Sequence, residues 1–354
     1  MNQLESLVRE KIKALTPYSS ARDEYAETEA GDTVLLDANE NSLGSVLGNS
    51  LNRYPDPYQK KLKTSISDML NVSSESLFLG NGSDEAIDLL LRIFCEPGVD
   101  CILTFPPTYG MYKVSADINS ISIIESPLDE KFEISVEEAL RLPTKNTKLA
   151  LVCSPNNPTG NAIPLEQIEA LLKSFRGYVV VDEAYVDFCP EKSALRLFQK
   201  YENLIVLRTF SKAWGLAGIR LGIAIAQKEV IALLNKVKSP YNISKLTQDA
   251  ALKALTQREN MRHMAQVINA QREQLSRKLQ SLSIVEKVYP SDANFILAKF
   301  KNSKLAFDAL TNARVIVRDR SSVKGCEHCL RITIGSQEEN DMVCSILASK
   351  EVSH

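Results

Sequence analysis

Three short runs constrain this chain more than anything else in it. Leu149–Cys153, Tyr178–Val181 and Leu204–Leu207 are apolar at almost every position. A strand with one face in water alternates apolar and polar residues. A strand that is apolar throughout is covered on both faces, as in a parallel sheet held between helices. Further strand runs at 76–79, 101–105 and 221–226 extend the pattern, with helical stretches at 59–70, 85–94 and 165–175 among them. Strand, loop and helix repeated in this way predict an α/β domain with a mostly parallel, right-handed, doubly wound sheet.

Such sheets bind ligands just beyond the carboxyl ends of their strands, and residues suited to chemistry cluster there. Gly80-Asn81-Gly82-Ser83-Asp84 follows the first run. With Ser83 as the expected N-cap, this turn opens a helix whose free N–H groups favour a phosphate, although an ordinary capped turn has the same composition. Tyr109 follows the second run in a rigid Pro-Pro-Thr-Tyr-Gly loop, and Asn157 follows the third in Ser154–Gly160. Asp182 comes directly after the fourth; a carboxylate half-buried there wants a cation, either a protonated ring nitrogen or a neighbouring Arg or Lys. Glu183 competes for that role, but Asp182 is next to the strand. After the fifth run comes Thr209-Phe-Ser-Lys-Ala-Trp-Gly-Leu-Ala-Gly-Ile-Arg220. Here Lys212 sits among the hydroxyls of Thr209 and Ser211, the small Gly215 and Gly218, and the donor fork of Arg220. That setting suits a covalent link from Lys212 to an aldehyde whose phosphate needs an anchor. Each residue alone has an ordinary explanation, but five explanations converging on one sheet edge do not.

After Pro240 the pattern changes. One long helical region spans 246–282, strands follow at 284–289, 295–300, 315–317 and 330–334, and a helix lies near 305–310. Ser336-Gln-Glu-Glu339 reads as a capping box opening the last helix. This is a smaller α+β domain, in which Arg318 and Arg331 could clamp an anion bidentately or pair at the surface with Asp319 or Glu327. The expected division is an N-terminal arm over 1–45 packing with the small domain, a large domain over 46–245, and the small domain over 246–354. The arm carries a helix over 2–14 and a strand-like run over 33–36.

Composition removes several functions. Lys and Arg number 42 against 44 Asp and Glu, a net charge of -2, so no basic excess points to nucleic acid or a membrane surface. The longest apolar runs fall far short of the roughly 20 residues that span a bilayer. The first thirteen residues lack the apolar core of a signal peptide. Seven cysteines, an odd number, suit the reduced thiols of a cytoplasmic protein. Cys326 and Cys329 form a single C-x-x-C without a second pair, a weak zinc or redox signal. His263, His328 and His354 have no partners at metal-ligand spacing, so neither a metal site nor a Ser/His/Asp triad is expected.

The motifs G-N-G-S-D-E at 80–85, P-P-T-Y-G-M-Y at 106–112, S-P-N-N-P-T-G at 154–160, D-E-A-Y at 182–185 and T-F-S-K-A-W-G-L-A-G-I-R at 209–220 occur in order. From end to end the chain resembles the fold-type I, pyridoxal-phosphate-dependent aminotransferases of class II. T-P-Y-S-S-A-R at 16–22, R-Y-P-D-P at 53–57 and C-L-R-I-T-I-G at 329–335 place the resemblance in their histidinol-phosphate branch. It implies that Lys212 holds the cofactor aldehyde, that Asp182 keeps the pyridine nitrogen protonated, and that Tyr185 and Asn157 hydrogen-bond the ring oxygen. Tyr109 would stack on the ring, and Ser83, Asp84, Thr209, Ser211 and Arg220 would hold the phosphate. Tyr54 would reach the phosphate of a neighbouring subunit in a homodimer, and Tyr18, Asn39, Arg318 and Arg331 would hold substrate. The implied reaction exchanges L-histidinol phosphate and 2-oxoglutarate for imidazole acetol phosphate and L-glutamate, in histidine biosynthesis. Aromatic amino-acid aminotransferases and threonine-phosphate decarboxylase share these motifs and stay open as alternatives. Two residues depart from the family pattern: Ser42 stands where proline is common, and Trp214 where phenylalanine is commoner.

Overall fold

A computed structural model describes residues 3–19, 34–47, 51–142 and 145–349. Its larger sheet has seven strands: β1 (Leu77–Asn81), β2 (Cys101–Thr104), β3 (Ser122–Glu125), β4 (Thr147–Cys153), β5 (Tyr178–Asp182), β6 (Leu204–Thr209) and β7 (Leu221–Ile225). They lie side by side in the order β1-β7-β6-β5-β4-β2-β3. The contacts from β3 through β2, β4 and β5 to β6 are parallel. β7 runs antiparallel to both its neighbours, so the sheet is mixed, mostly parallel as expected, with one strand reversed. The cause is the connection 210–220, which holds only a single turn of 3-10 helix at Ala217–Ile219. A parallel return needs a crossover of about a dozen residues or more, usually helical.

The apolar strands serve two cores. Successive side chains on a strand point to opposite faces. Val179 and Val181 join Val152, Val206 and Ile223 on one face, under helices Lys60–Leu70 and Leu165–Ser174. Tyr178 and Val180 join Leu151, Ile205 and Ala224 on the other, under helices Ser83–Phe94 and Lys228–Val237. Burying each such side chain contributes roughly 1.5–3 kcal/mol, so neither face of a central strand tolerates a polar residue. The unanticipated β3 is an edge strand whose terminal Ser122 and Glu125 are exposed, which hides it from an apolar-run reading.

The N-terminal segment forms two short helices, Gln3–Leu7 and Glu10–Ala14, where one was expected. Extended backbone at Arg9 breaks them, and its guanidinium bonds Glu96 and the Arg92 carbonyl. Val8 enters the core beneath helix Ser83–Phe94. Residues 3–14 therefore pack on the large sheet's helical layer and not on the small domain. Residues 34–36 form no strand.

The expected long helix over 246–282 is two, Lys245–Leu255 and Arg258–Gln280, with Ser244 capping the first. Beyond it, β8 (Val285–Val288), β9 (Phe295–Phe300), β10 (Arg318–Asp319) and β11 (Cys329–Thr333) make an antiparallel sheet in the order β10-β11-β9-β8. The strand expected at 315–317 lies three residues later, because Val317 turns into the core and Arg318 pairs with Arg331. Ser336 and Glu339 form the expected capping box.

Candidate active site

The carboxyl ends of β1, β2, β4, β5 and β6 converge on a cleft of ≈ 220 Å³. Ser83, Asp84, Tyr109, Asn157, Asp182, Tyr185, Thr209, Ser211, Lys212 and Arg220 all line it.

At one end is a cradle for an anion. Gly82, at φ 76°, turns the chain from β1 into helix Ser83–Phe94 and is itself the N-cap, so Ser83 lies one residue inside the helix and does not cap it. No side chain caps this helix, which leaves its first N–H groups and the positive end of its dipole facing the cleft. The cradle is tight. A Cβ on Gly222 would come within 2.2 Å of the Gly82 carbonyl carbon and the Ser83 nitrogen, and one on Gly82 would meet Arg220 Nη2 at 2.6 Å. Because β7 runs backwards, its amino end lies on this edge, and that is what delivers Arg220. Arg220 Nη2 lies 3.7 Å from Asp84 Oδ2. Thr209 Oγ1 donates to the Leu221 carbonyl at 3.2 Å and accepts from the Ser211 N–H at 3.1 Å, holding the Ser211 hydroxyl at the cradle rim.

At the other end Asp182 closes β5, 3% exposed. It accepts from the Tyr112 hydroxyl at 3.0 Å and from the Ala184 N–H at 3.1 Å. Burial pushes its carboxyl up to about 6, against the pull of these two donors. Among the described residues no lysine or arginine forms an ion pair with it, so the cation it wants has to come from a ligand. Glu183, the competing carboxylate, is instead committed to structure: it accepts from Ser193 and the Ala194 N–H and pairs with Arg208 at 3.0 Å.

Tyr109 hydrogen-bonds Asp84 at 3.2 Å and stands edge-on to Tyr112, ring centres 5.5 Å apart. Asn157 Nδ2 donates to the Tyr185 hydroxyl oxygen at 3.5 Å. Arg331 leaves the small sheet to donate to Asn157 Oδ1, with its guanidinium 5.2 Å from the Phe295 ring centre. Lys212 Nζ sits 5.4 Å over the Tyr185 ring. Burial, then the Arg331 charge, lowers its pKa, so the amine is readied to act as a nucleophile and base. Trp214 stacks on Phe210 at 4.9 Å and bonds the half-buried Asp187, bracing the loop behind Lys212. Ser42 lies in a turn closed by the Gly44 N–H on the Asn41 carbonyl.

The remaining expected residues are not brought into this cleft. Tyr54 is half exposed and stacks on Tyr241 at 4.5 Å. Tyr18, Asn39 and Arg318 are exposed, and residues 20–22 of the T-P-Y-S-S-A-R motif lie outside the described residues. Sequence reading missed Tyr112, which bonds Asp182, and Cys153, which lines the cleft. Tyr112 lies three residues after Tyr109 on the helix Met111–Ile118 side of the loop, a spacing that turns both rings to one side.

An uncapped helix start, an arginine, a cleft amine and a buried unpaired carboxylate are the donor set that pyridoxal phosphate requires at its phosphate, aldehyde and ring nitrogen. The residues fit that group.

The family model described as aminotransferase class I and II matches residues 26–347. A histidinol-phosphate aminotransferase of Cytophaga hutchinsonii is 49% identical over 97% of this chain and 98% of its own length. The crystal structure of the histidinol-phosphate aminotransferase from Clostridium acetobutylicum superposes with a TM-score of 0.80 at 25% identity, covering 86% of this chain and 92% of that one. That of Sinorhizobium meliloti, in complex with pyridoxal-5'-phosphate, gives 0.79 at 21% identity over 98% of each chain.

Proposed function

The chain belongs to the class I and II aminotransferase family, and from that membership we propose how its site performs the reaction. It is a pyridoxal-phosphate-dependent aminotransferase that exchanges L-histidinol phosphate and 2-oxoglutarate for imidazole acetol phosphate and L-glutamate, a step of histidine biosynthesis. The observation that supports this reading is that Lys212 lines one cleft with the residues of the anion cradle and with Asp182, while Arg331 reaches Asn157 of that cleft from the small sheet.

When bound, the cofactor supplies an aldehyde for the amine and a protonated ring that accepts the electrons left on the substrate's α-carbon. Ser83, Asp84, Ser211 and Arg220, with Thr209 behind them, would bind its phosphate. Asp182 would hold the proton on its ring nitrogen, Tyr109 would cover the ring face, and Asn157 with Tyr185 would orient the ring oxygen. Lys212 Nζ, deprotonated more readily than an exposed lysine, would take the proton from the α-carbon and return it on the cofactor side. Arg331 and Arg318 would hold the anionic end of each substrate in turn, a phosphate in one half-reaction and a carboxylate in the other.

Tyr54 lies in a segment, 43–58, that also exposes Leu43, Val46, Leu47 and Tyr58. An apolar surface of this kind suits coverage by a second copy of the chain, with Tyr54 reaching the neighbour's phosphate and Tyr18 and Asn39 closing over substrate. All seven cysteines are free, which fits a reducing cytosol. Among the described residues no helix is long and apolar enough to cross a membrane.

The deciding experiment is borohydride reduction of the purified protein with pyridoxal phosphate, followed by peptide mass mapping. Label on Lys212, together with glutamate-dependent conversion of imidazole acetol phosphate, supports the reading. Label elsewhere, or carbon dioxide release from threonine phosphate in place of amino transfer, overturns it. Asp182→Ala should lose most turnover while binding cofactor weakly.

A further inference from the structure

Arg318 and Arg331 are cross-strand partners in β10 and β11, and the Arg320 N–H continues that ladder by bonding the Cys329 carbonyl at 2.9 Å. Alternate strand residues share a face, so Arg318, Arg320 and Arg331 project from the same side of the small sheet. The opposite side carries Leu330 and Ile332 into the core. Arg331 shows where the arginine face is aimed, because its guanidinium meets Asn157 in the cleft. Arg320 shares that face with Arg331, and its charge is felt at the Tyr185 hydroxyl and at Arg331.

Among the described residues the Arg320 side chain shows no hydrogen-bond or ion-pair partner there. Its Nε is wholly buried and makes no hydrogen bond. The neighbouring carboxylates are turned away: Asp319 alternates to the other face and caps the Ser321 N–H, and Glu327 accepts from the Gly325 N–H. A buried cationic donor left without an acceptor is costly, and a third arginine is more than a monoanionic carboxylate needs. We propose that Arg320 is a substrate-binding residue, the third cation of the clamp, and that it selects a phosphate dianion over the carboxylates of the second substrate. This rests on the reading of the site given above.

The test is steady-state kinetics of the holoenzyme with Arg320→Gln and Arg320→Lys, taken in each half-reaction, beside calorimetry of inorganic phosphate binding to the same proteins. Loss of a charged hydrogen bond predicts a KM for histidinol phosphate raised about 10- to 100-fold in Arg320→Gln. Turnover and the KM for glutamate should stay within about threefold, and Arg320→Lys should fall between. Phosphate should bind wild type more tightly than Arg320→Gln. An unchanged KM for histidinol phosphate, or equal losses for both substrates, overturns the assignment. If Arg320→Gln does not fold, Arg320→Lys decides by the same comparison. Wild type that ignores histidinol phosphate would sink the substrate reading instead, and the phosphate calorimetry would still judge Arg320.

Discussion

The Tyr112 hydroxyl donates to Asp182 Oδ2 at 3.0 Å, from a tyrosine that is itself only 1% exposed. A neutral donor supports the carboxylate without cancelling its charge, so the full negative charge stays available for a ring nitrogen. The same ring meets Tyr109 edge-on, joining the residue that would cover the cofactor's face to the one that would hold its proton.

Removing only that hydroxyl tests the relationship. Tyr112→Phe keeps the packing and deletes a hydrogen bond to a charged group, worth about 1.5–3 kcal/mol. The Asp182 carboxyl, already pushed up to about 6 by burial, should rise further. Pyridoxal phosphate affinity of the cofactor-free protein should fall roughly tenfold, followed by quenching of Trp214 fluorescence. Unchanged affinity would make Tyr112 mere filler.

Asp182 also makes the cofactor-free protein sensitive to pH. Its pKa moves from 3.8 to about 6 on folding. Between those values the folded state binds more protons than the unfolded one, so stability falls as pH rises through the window. The full contribution is about 3 kcal/mol of lost stability. Asp182→Asn removes the titration. Without cofactor it should match wild type near pH 4 and melt higher at about pH 8. With cofactor, whose ring cation pairs with the carboxylate, the wild type should gain more than the variant. Melting curves across that range, with and without pyridoxal phosphate, check both statements.

The cradle predicts a sharper loss. At Gly222 an added methyl would press on backbone, the Gly82 carbonyl carbon and the Ser83 nitrogen, both at 2.2 Å. Backbone cannot swing aside as a side chain can. Gly222→Ala should therefore cost about 1–3 kcal/mol of stability and displace the helix start that would bind phosphate. Cofactor affinity, measured by equilibrium dialysis, should fall more than tenfold. A variant that melts normally and binds cofactor normally would refute the cradle.

How much of this was legible in the sequence depends on what each residue answers to. Lys212, Asp182, Asn157 and Tyr109 were readable because strand ends are marked by apolar runs and by Gly, Pro and Asn, and the fold fixes which edge they share. The reversal of β7 was hidden because Leu221–Ile225 is as apolar as its parallel neighbours. Its direction follows from the short connection before it. Tyr112 was hidden because a buried tyrosine on a helix looks like core until its hydroxyl's partner is known. Arg9 broke the first helix for a long-range reason, its bond to Glu96, and local periodicity cannot carry such information. Arg320 lay two residues from an arginine that was chosen, but only the alternation of β10 against β11 turns both to one side.

Arg331 ties the two sheets together through Asn157, and Asn157 in turn contacts Tyr185. Its removal should therefore act twice, by loss of a substrate cation and by release of the residues that orient the ring. Arg331→Ala should lower kcat/KM at least about a hundredfold for histidinol phosphate and for glutamate alike, the cost of a charged hydrogen-bond partner. Arg331→Lys keeps the charge but not the planar fork, so it should recover substrate binding only in part and leave Asn157 loose. The pH dependence separates the two effects. Arg331 is the leading charged group lowering the Lys212 pKa, so Arg331→Ala should let that pKa rise and shift the acidic limb of activity, where the base loses its proton, to higher pH, whereas Arg331→Lys should leave it nearly in place. Matching pH profiles for wild type and Arg331→Ala would leave Arg331 with substrate binding alone.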